Sequence, residues 1–249
     1  MSRRWSRSWS RASGSGHAVK QALLDMVAAG RSREAELEAV CEDAPPNADG
    51  SWTAKDQLAH LVYWRARNAR LLEAVRTGGD MPPAVEDDDQ NAIVYAENRD
   101  RTLEAIEKEA QASWAAMGAF VEACTEEDLL NVHPYAPDYQ LWETVTGVID
   151  HLAAHLVDFY LERGDRRRAE AAQVWAYTLA SQVFSRPLQK ADSAYNLACF
   201  YSREGRPADA LRLLDESLGA KPALVAHARQ DPDLDPIRDH PELVRLLAT

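Results

Sequence analysis

The sequence predicts an all-α protein, a four-helix bundle followed by a short helical extension. Three observations support this prediction: apolar residues recur at helical spacing in four long segments, connectors containing Pro or Gly separate those segments, and no segment shows the alternation of a strand. A glycine-rich phosphate loop is also absent from the sequence. Helix bundles build metal sites between facing helices, so a metal site is one of the functions to expect of this fold.

Composition limits the class of protein. With 249 residues, 46% of them hydrophobic, the chain can bury a full core, and we expect one large domain followed by a smaller one. The formal net charge is −12, and it becomes about −16 when the four arginines of the acid-free first sixteen residues are set aside. A body of this charge repels phosphate backbones, which argues against nucleic-acid binding.

The cysteines and the hydropathy bear on the compartment. Cys41, Cys124 and Cys199 are far apart and form no CxxC pair, which argues against a disulfide framework and against a thiolate zinc site. This cysteine usage fits a reducing cytoplasm, where we expect the protein to reside. No stretch approaches the roughly eighteen apolar residues that a membrane span needs, so we expect no membrane partner.

The first helix lies between two segments of different character. Residues 1–16 are rich in Arg and Ser, and we expect a disordered tail there. Residues 17 to about 42 carry apolar side chains at helical spacing and are predicted to form helix one. Pro45 to Gly50 follows as a connector, because a helix can hardly cross two prolines.

Helix two has a predicted start and end. Thr53 and Asp56 stand at the spacing of a capping box, so this helix runs from there to about Thr77, where two glycines follow. His60 lies beside Trp64, away from the main leucine stripe. The residues alone leave two interpretations of His60 open, a hydrogen-bonded core histidine or a metal ligand.

A third helix and a long loop follow. We expect one helix from about Gln90 to Ala123, with its many charges on a solvated face. The loop from Thr125 to Asp138 contains His133 and is placed to cover one end of the bundle. His133 is then a fourth ligand, a lid residue or an ordinary loop histidine.

Helix four, predicted from about Tyr139 to Arg163, carries the strongest chemical signal of the chain. His151 and His155 are four residues apart on the border of its buried face, so both rings point the same way from adjacent turns. The two rings either have separate structural partners or bind one metal ion. Such an ion needs a third ligand, and His60 is the best candidate. Neutral imidazole suits zinc, nickel, copper or iron, and three ligands leave a position open for water or substrate.

Several weak motifs, in matching order, together resemble the DinB-like superfamily, and the middle segment looks most like its branch of ClbS/DfsB-type four-helix bundle proteins. The resemblance covers residues 17–165, which we take as a DinB-like four-helix bundle domain. The motifs are Trp52-Thr53-Ala54-Lys55-Asp56-Gln57-Leu58-Ala59-His60-Leu61, Asn91-Ala92 with Asn98-Arg99-Asp100-Arg101-Thr102-Leu103, Glu126-Glu127-Asp128-Leu129, and His151-Leu152-Ala153-Ala154-His155.

The resemblance implies a three-histidine metal site formed by His60, His151 and His155. It also implies a divalent metal ion, with zinc or nickel favoured, and a low-molecular-weight thiol such as mycothiol or bacillithiol as a further cofactor. Members of the superfamily include thiol S-transferases, a maleylpyruvate isomerase and a hydrolase. We therefore expect a metal-dependent enzyme that transfers a thiol or water to a small electrophilic substrate.

Charged residues near these histidines have two interpretations each. Glu143 and Asp150 are either partners that fix an imidazole tautomer or simple surface charges. Arg65, Arg67 and Arg70 either bind a carboxylate of the thiol cofactor or are solvated helix charges, and we favour the second interpretation. The sequence identifies no general base.

Residues 166–249 are predicted to form a short helical segment that resembles a tetratricopeptide repeat. Helices are expected over about 169–186 and over Pro241 to Leu247, and the repeat-like pair spans 192–218. One such repeat cannot bury its apolar faces alone, so the segment packs on the bundle, on a second copy as a homodimer, or on a protein partner. The alternative function is therefore a non-catalytic metal-binding or scaffold protein whose repeat-like segment mediates protein–protein interaction.

Overall fold

The fold is helical, as the sequence predicts. A computed structural model describes residues 19–43, 47 and 51–248, so the predicted disordered tail at 1–16 lies outside the described residues. The α-helices are α1 (Val19–Glu38), α2 (Ala54–Thr77), α3 (Asp87–Asn98), α4 (Leu103–Ala123), α5 (Glu126–Leu129), α6 (Leu141–Glu162), α7 (Arg166–Val183), α8 (Ala191–Arg203), α9 (Pro207–Ala220), α10 (Leu224–Ala228) and α11 (Pro241–Leu247). Two short strands, β1 (Val132–His133) and β2 (Ala136–Gln140), pair antiparallel. Short 3₁₀ helices span Pro187–Lys190 and Pro232–Ile237.

Helix α2 has the ends that the sequence predicts. The Thr53 hydroxyl accepts a hydrogen bond from the Asp56 backbone amide at 3.1 Å, and the Asp56 carboxylate accepts one from the Thr53 amide at 2.8 Å. Gly78 closes the helix with φ 70°, a left-handed conformation that favours glycine. Helix α2 packs against α4 and α6, so the predicted buried position of this helix is confirmed.

The prediction of a single third helix is wrong. Residues 90–123 divide between α3 and α4, with a break at residues 99–102. The hydroxyl of Thr102 accepts from the Ala105 amide at 3.3 Å, and Asp43, in the coil that follows α1, accepts from the Leu103 amide at 2.8 Å. These two acceptors satisfy backbone donors of a new helix start, which is why the chain begins a second helix here.

The long loop before α6 contains more regular structure than the sequence pattern indicates. It holds α5, capped by Thr125, and the hairpin of β1 and β2, whose pairing is interrupted by a bulge between Val132 and His133. The all-α class predicted from the sequence is confirmed, and this segment adds a two-stranded hairpin that the sequence pattern does not indicate. The Leu141 amide donates to the Asn131 carbonyl at 2.9 Å, which ties the hairpin to the start of α6.

Arg65 is a core residue and not a solvated charge. Its guanidinium is 1% exposed and donates two hydrogen bonds to Glu34, at 2.6 and 2.8 Å, and a third to Ser113 at 2.9 Å. The ring of Trp114 lies 4.1 Å from the guanidinium carbon. Arg67 is also buried and donates to the carbonyl of Pro83, whereas Arg70 is exposed as expected. Burial thus corrects the prediction for two of the three arginines.

The C-terminal helices continue the core of the bundle. Helix α7 packs on α6 and α1, and α8 and α9 pack against each other across a turn at Gly205, which has φ 70°. Ala198 and Ala210 are fully buried between these two helices, as the small side chains predict. One connected cluster of buried apolar residues runs from α1 to α11. None of the helices in the described ranges combines the length and apolar character that crossing a membrane requires.

Candidate metal centre

The three predicted histidines converge where α2 faces α6. His60 lies in the second turn of α2, and His151 and His155 lie one turn apart on α6. His151 Nε2 is 3.0 Å from His60 Nε2 and 3.1 Å from His155 Nε2. The structure therefore brings all three residues together, with their candidate ligand atoms within 4.8 Å of one another.

These separations fit a shared cation better than a set of hydrogen bonds. A neutral imidazole nitrogen either donates one proton or offers one lone pair, so His151 Nε2 cannot make two linear hydrogen bonds at once. Two nitrogens bound at roughly 2.1 Å to one ion lie about 3.0–3.4 Å apart for angles near 90–109°. The two measured Nε2 separations fall in this range. The donor set thus fits a metal ion held on one side by three imidazoles.

Burial keeps the three rings neutral. It is the main cause that lowers the pKa of His60 to about 3, of His151 to about 2 and of His155 to about 4. The neighbouring imidazoles lower the pKa of His60 and His151 further, because two positive rings in contact would repel each other. At neutral pH the lone pairs needed by a metal are therefore available.

An aromatic wall lies beside the histidines. The Trp52 ring is parallel to the His155 ring, with centroids 6.4 Å apart, and parallel to the Tyr95 ring at 6.1 Å. The centroid of His60 is 5.0 Å from that of Trp52, and His60 Nδ1 is buried without a hydrogen-bond partner among the described residues. The sequence indicates Trp52 only as part of a motif. Its position next to the helix cap was the signal that could have placed it here.

A cleft of about 400 Å³ opens next to the histidines. Its wall combines apolar surface with several polar side chains and includes His60 and His151 from the cluster. The other lining residues are Trp64, Asn68, Asn91, His133, Ala136, Tyr139, Glu143, Thr144, Gly147 and Val148. The indole of Trp64 donates to the Asn91 side-chain oxygen at 2.9 Å, which fixes one side of the opening.

His133 lies on the cleft wall but outside the histidine cluster. Its Nδ1 accepts a hydrogen bond from the Tyr135 amide at 3.2 Å. Burial, and next the charge of Arg67, lower the pKa of His133. Tyr135 in turn donates to the Pro82 carbonyl at 2.7 Å, so the hairpin that carries His133 is tied to the loop between α2 and α3. This geometry favours the lid interpretation of His133 over the fourth-ligand interpretation.

Glu143 and Asp150 are not surface charges, because both are buried against the C-terminal segment. Lys221 donates to Glu143 at 2.6 Å and to Asp192 at 2.7 Å. The Ser193 hydroxyl donates to Asp150 at 2.9 Å, and burial raises the pKa of Asp150 to about 7. Sequence reasoning missed Lys221, because it lies 78 residues from its partner Glu143.

Comparison with known proteins gives one match. A family model described as the DinB superfamily matches residues 9–159, well over half of the chain, so the chain belongs to this superfamily. No curated protein and no solved structure matches the chain.

Proposed function

Because the chain belongs to the DinB superfamily, we propose that it is a metal-dependent enzyme in which His60, His151 and His155 hold one divalent cation, zinc or nickel. The proposed reaction is transfer of a low-molecular-weight thiol, such as mycothiol or bacillithiol, or of water to a small electrophilic substrate. S-transferase, isomerase and hydrolase chemistry all fall within this class.

The observation that carries the proposal is the convergence of three Nε2 atoms. His151 Nε2 lies 3.0 and 3.1 Å from its two neighbours, and the lowered pKa values keep all three rings neutral. His151 Nε2 has two Nε2 neighbours but can make only one good hydrogen bond to them, so the arrangement favours a cation among the three lone pairs. A bound divalent ion would in addition lower the pKa of a thiol or water in its open position.

The residues around the cluster have separate roles in this proposal. Trp52 covers one face of His155 and excludes water from the ligands. Asn68, Asn91 and Tyr139 line the cleft and offer hydrogen bonds to a polar substrate. A cleft of about 400 Å³ suits a small molecule, since ligand pockets are commonly a few hundred Å³. Glu143 is paired with Lys221, which fixes its carboxylate as part of the wall.

For the C-terminal segment we propose the role of a structural cap. Lys221 is 5% exposed and reaches from the end of α9 to Glu143 on α6. Its ammonium group also lies 4.0 Å from the ring of Tyr139, a residue of the cleft wall. The segment thus packs on the bundle near the proposed site, which supports a cap more than a free peptide-binding module.

Metal analysis of the tag-free protein tests the proposal. We expect one equivalent of a divalent ion at the three histidines in the parent protein and loss of that equivalent in His155→Ala. His133→Ala is the matched control, because His133 lines the same cleft outside the cluster, and it should retain the ion. If the parent and the control hold no ion at this cluster after incubation with zinc or nickel, the proposal fails.

The reaction class needs a separate assay. The metal-loaded protein is incubated with a small epoxide or maleate-type electrophile, with and without a low-molecular-weight thiol, and thiol and electrophile are followed by mass spectrometry. Thiol-dependent consumption that is lost in His155→Ala supports transfer, and consumption without thiol supports hydrolysis. Metal binding without turnover across the panel would instead favour a non-catalytic metal-binding protein.

A further inference from the structure

A second group of potential metal ligands lies away from the three histidines. It is at the contact of α6, α7 and α8 with the turn that starts the 3₁₀ helix Pro232–Ile237. A cavity of about 440 Å³ opens there and extends to the far side of His151. Cys199, Asp231 and Asp233 line this cavity, and their candidate ligand atoms lie within 4.8 Å of one another.

The donor atoms are of three kinds. The Cys199 sulfur is 3.5 Å from one carboxylate oxygen of Asp231, and His227 Nε2 is also 3.5 Å from that oxygen. The Tyr195 hydroxyl donates to the same oxygen at 2.7 Å and orients the carboxylate. The other oxygen of Asp231 accepts from the Asp233 amide at 2.9 Å. Thiolate, imidazole and carboxylate are the ligand types that zinc-like ions combine.

Acidic side chains outnumber basic ones among the residues that line this cavity. Four carboxylic acids line the cavity, namely Asp150, Asp158, Asp231 and Asp233. Among the described lining residues, Arg203 is the permanent cation, and its Nε lies 3.7 Å from Asp233. One guanidinium does not compensate several carboxylates at the edge of the core, so a further cation is electrostatically favoured.

An orphan amide supplies an independent observation. Gln173 on α7 is 4% exposed and lines the same cavity, yet its Nε2 has no hydrogen-bond partner among the described residues. A buried N–H group without an acceptor is costly, which favours a water or another hydrogen-bond acceptor beside Gln173. Because the two ends of an amide are interchangeable in shape, Gln173 can offer its oxygen to a water bound to an ion.

We propose that Cys199, Asp231 and Asp233 form a second cation site, which takes a divalent ion of zinc-like character. The three side chains supply one thiolate and two carboxylates, and water completes the coordination in the cavity, where Gln173 accepts a hydrogen bond from it. On binding, the S–H bond of Cys199 breaks, a sulfur–metal bond forms and the proton passes to solvent. The spacing of the cysteines excludes an all-thiolate site, and this mixed site is consistent with that exclusion.

Cobalt(II) distinguishes the two sites by spectroscopy. The full-length protein is stripped with a chelator and titrated with Co²⁺, because a cobalt–thiolate bond gives a near-ultraviolet charge-transfer band that an all-histidine site lacks. We expect this band in the parent protein. Because the three histidines also bind Co²⁺, the band should saturate at no more than two added equivalents in the parent and at one in His155→Ala. Cys199→Ser should abolish the band, and Cys41→Ser should retain it, because Cys41 follows α1 and does not line this cavity.

Two more variants separate this site from the proposed enzyme. His155→Ala should leave the thiolate band intact, so a band in this variant supports the inference even if the histidines bind no metal. Asp233→Asn is a second test, which does not depend on correct folding of Cys199→Ser. In Asp233→Asn we expect at least tenfold weaker Co²⁺ binding at an unchanged melting temperature. A parent without the band, a band that persists in Cys199→Ser, or unchanged affinity in Asp233→Asn would each overturn the second site.

Discussion

Two polar clusters on α2 lie five residues apart and have opposite character. At Arg65, a buried positive charge meets the carboxylate of Glu34, the hydroxyl of Ser113 and the face of Trp114, so the donors of this cluster find acceptors within the fold. At His60, three neutral rings face one another through the same kind of nitrogen. A polar cluster whose hydrogen-bond donors find acceptors within the fold stabilises the protein. A cluster of imidazole nitrogens whose lone pairs face one another indicates a bound cation instead.

The largest expected effect comes from breaking the satisfied cluster. Glu34→Gln leaves the Arg65 charge buried without a counter-charge, so we expect a loss of about 3–5 kcal/mol in the free energy of unfolding. Urea denaturation measures the loss. Glu73→Gln, which breaks an exposed pair with Arg76, is the control and should leave stability nearly unchanged. Equal effects in the two variants would contradict the structural role of the Arg65 cluster.

The unsatisfied cluster should respond to metal instead. At a zinc concentration of about 100 times Kd, binding to the native state raises the free energy of unfolding by about 2.7 kcal/mol. In a Cys199→Ser background, which removes the second proposed cation site, His155→Gln should remove this increment, and His133→Gln should keep it. Urea denaturation with and without zinc gives both values. If zinc stabilised the parent and His155→Gln equally, the stabilising ion would lie elsewhere.

The pH dependence of the stability of the metal-free protein also distinguishes the histidine cluster from the Arg65 cluster. The native pKa of His151, about 2, lies far below its ordinary value of 6.5, so between these values the unfolded chain binds a proton that the native state does not. Stability therefore falls as the pH drops below about 6.5, by roughly 1.4 kcal/mol per pH unit for each such histidine.

His151→Gln should lower this slope by one histidine's share. Asp150, whose pKa is raised to about 7, contributes with the opposite sign, so the parent and the variant are compared at each pH. Urea denaturation between about pH 7 and pH 5 gives the slopes. Identical slopes would mean that His151 is protonated in the native state.

The smallest effect concerns the cap that holds α2 in place. Thr53→Ala removes the acceptor of the Asp56 amide, so we expect a loss of about 1 kcal/mol in the free energy of unfolding. We also expect weaker zinc binding, because Trp52 and His60 lie at the start of this helix. Thr102→Ala removes a similar cap from α4 and should cost a similar free energy without changing zinc affinity. Calorimetry measures the affinities. Equal losses of zinc affinity in the two variants would show that the start of α2 has no particular role in the metal site.

Local signals made a large part of the fold predictable from sequence. The capping box at Thr53 and Asp56 and the glycine at 78 act within one helical turn, so the ends of α2 follow directly from the residues. The pairing of His151 with His155 follows from helical periodicity, whereas the bundle layout leaves the orientation of His60 open until the structure shows it opposite them. The family resemblance raised the trio above other histidines such as His133.

Contacts between distant segments escaped prediction. The break between α3 and α4 depends on Asp43, which is 60 residues away from the amide it accepts. The sequence predicts Arg65 to be a surface charge because its partner Glu34 is on another helix, 31 residues upstream. The parallel stacking of Trp52 with His155 and with Tyr95 likewise involves three separate elements. The position of Trp52 beside the helix cap places it near the site but does not give its ring partners.

The bond between Lys221 and Glu143 also has a consequence for synthesis of the chain. Lys221 leaves the ribosome 78 residues after Glu143. At roughly 5–20 residues per second, this is a delay of about 4–16 s, far longer than a helix needs to form. During this interval α6 presents a carboxylate without its cation. Glu143 therefore gains its ion pair only after α7, α8 and α9 have been synthesised.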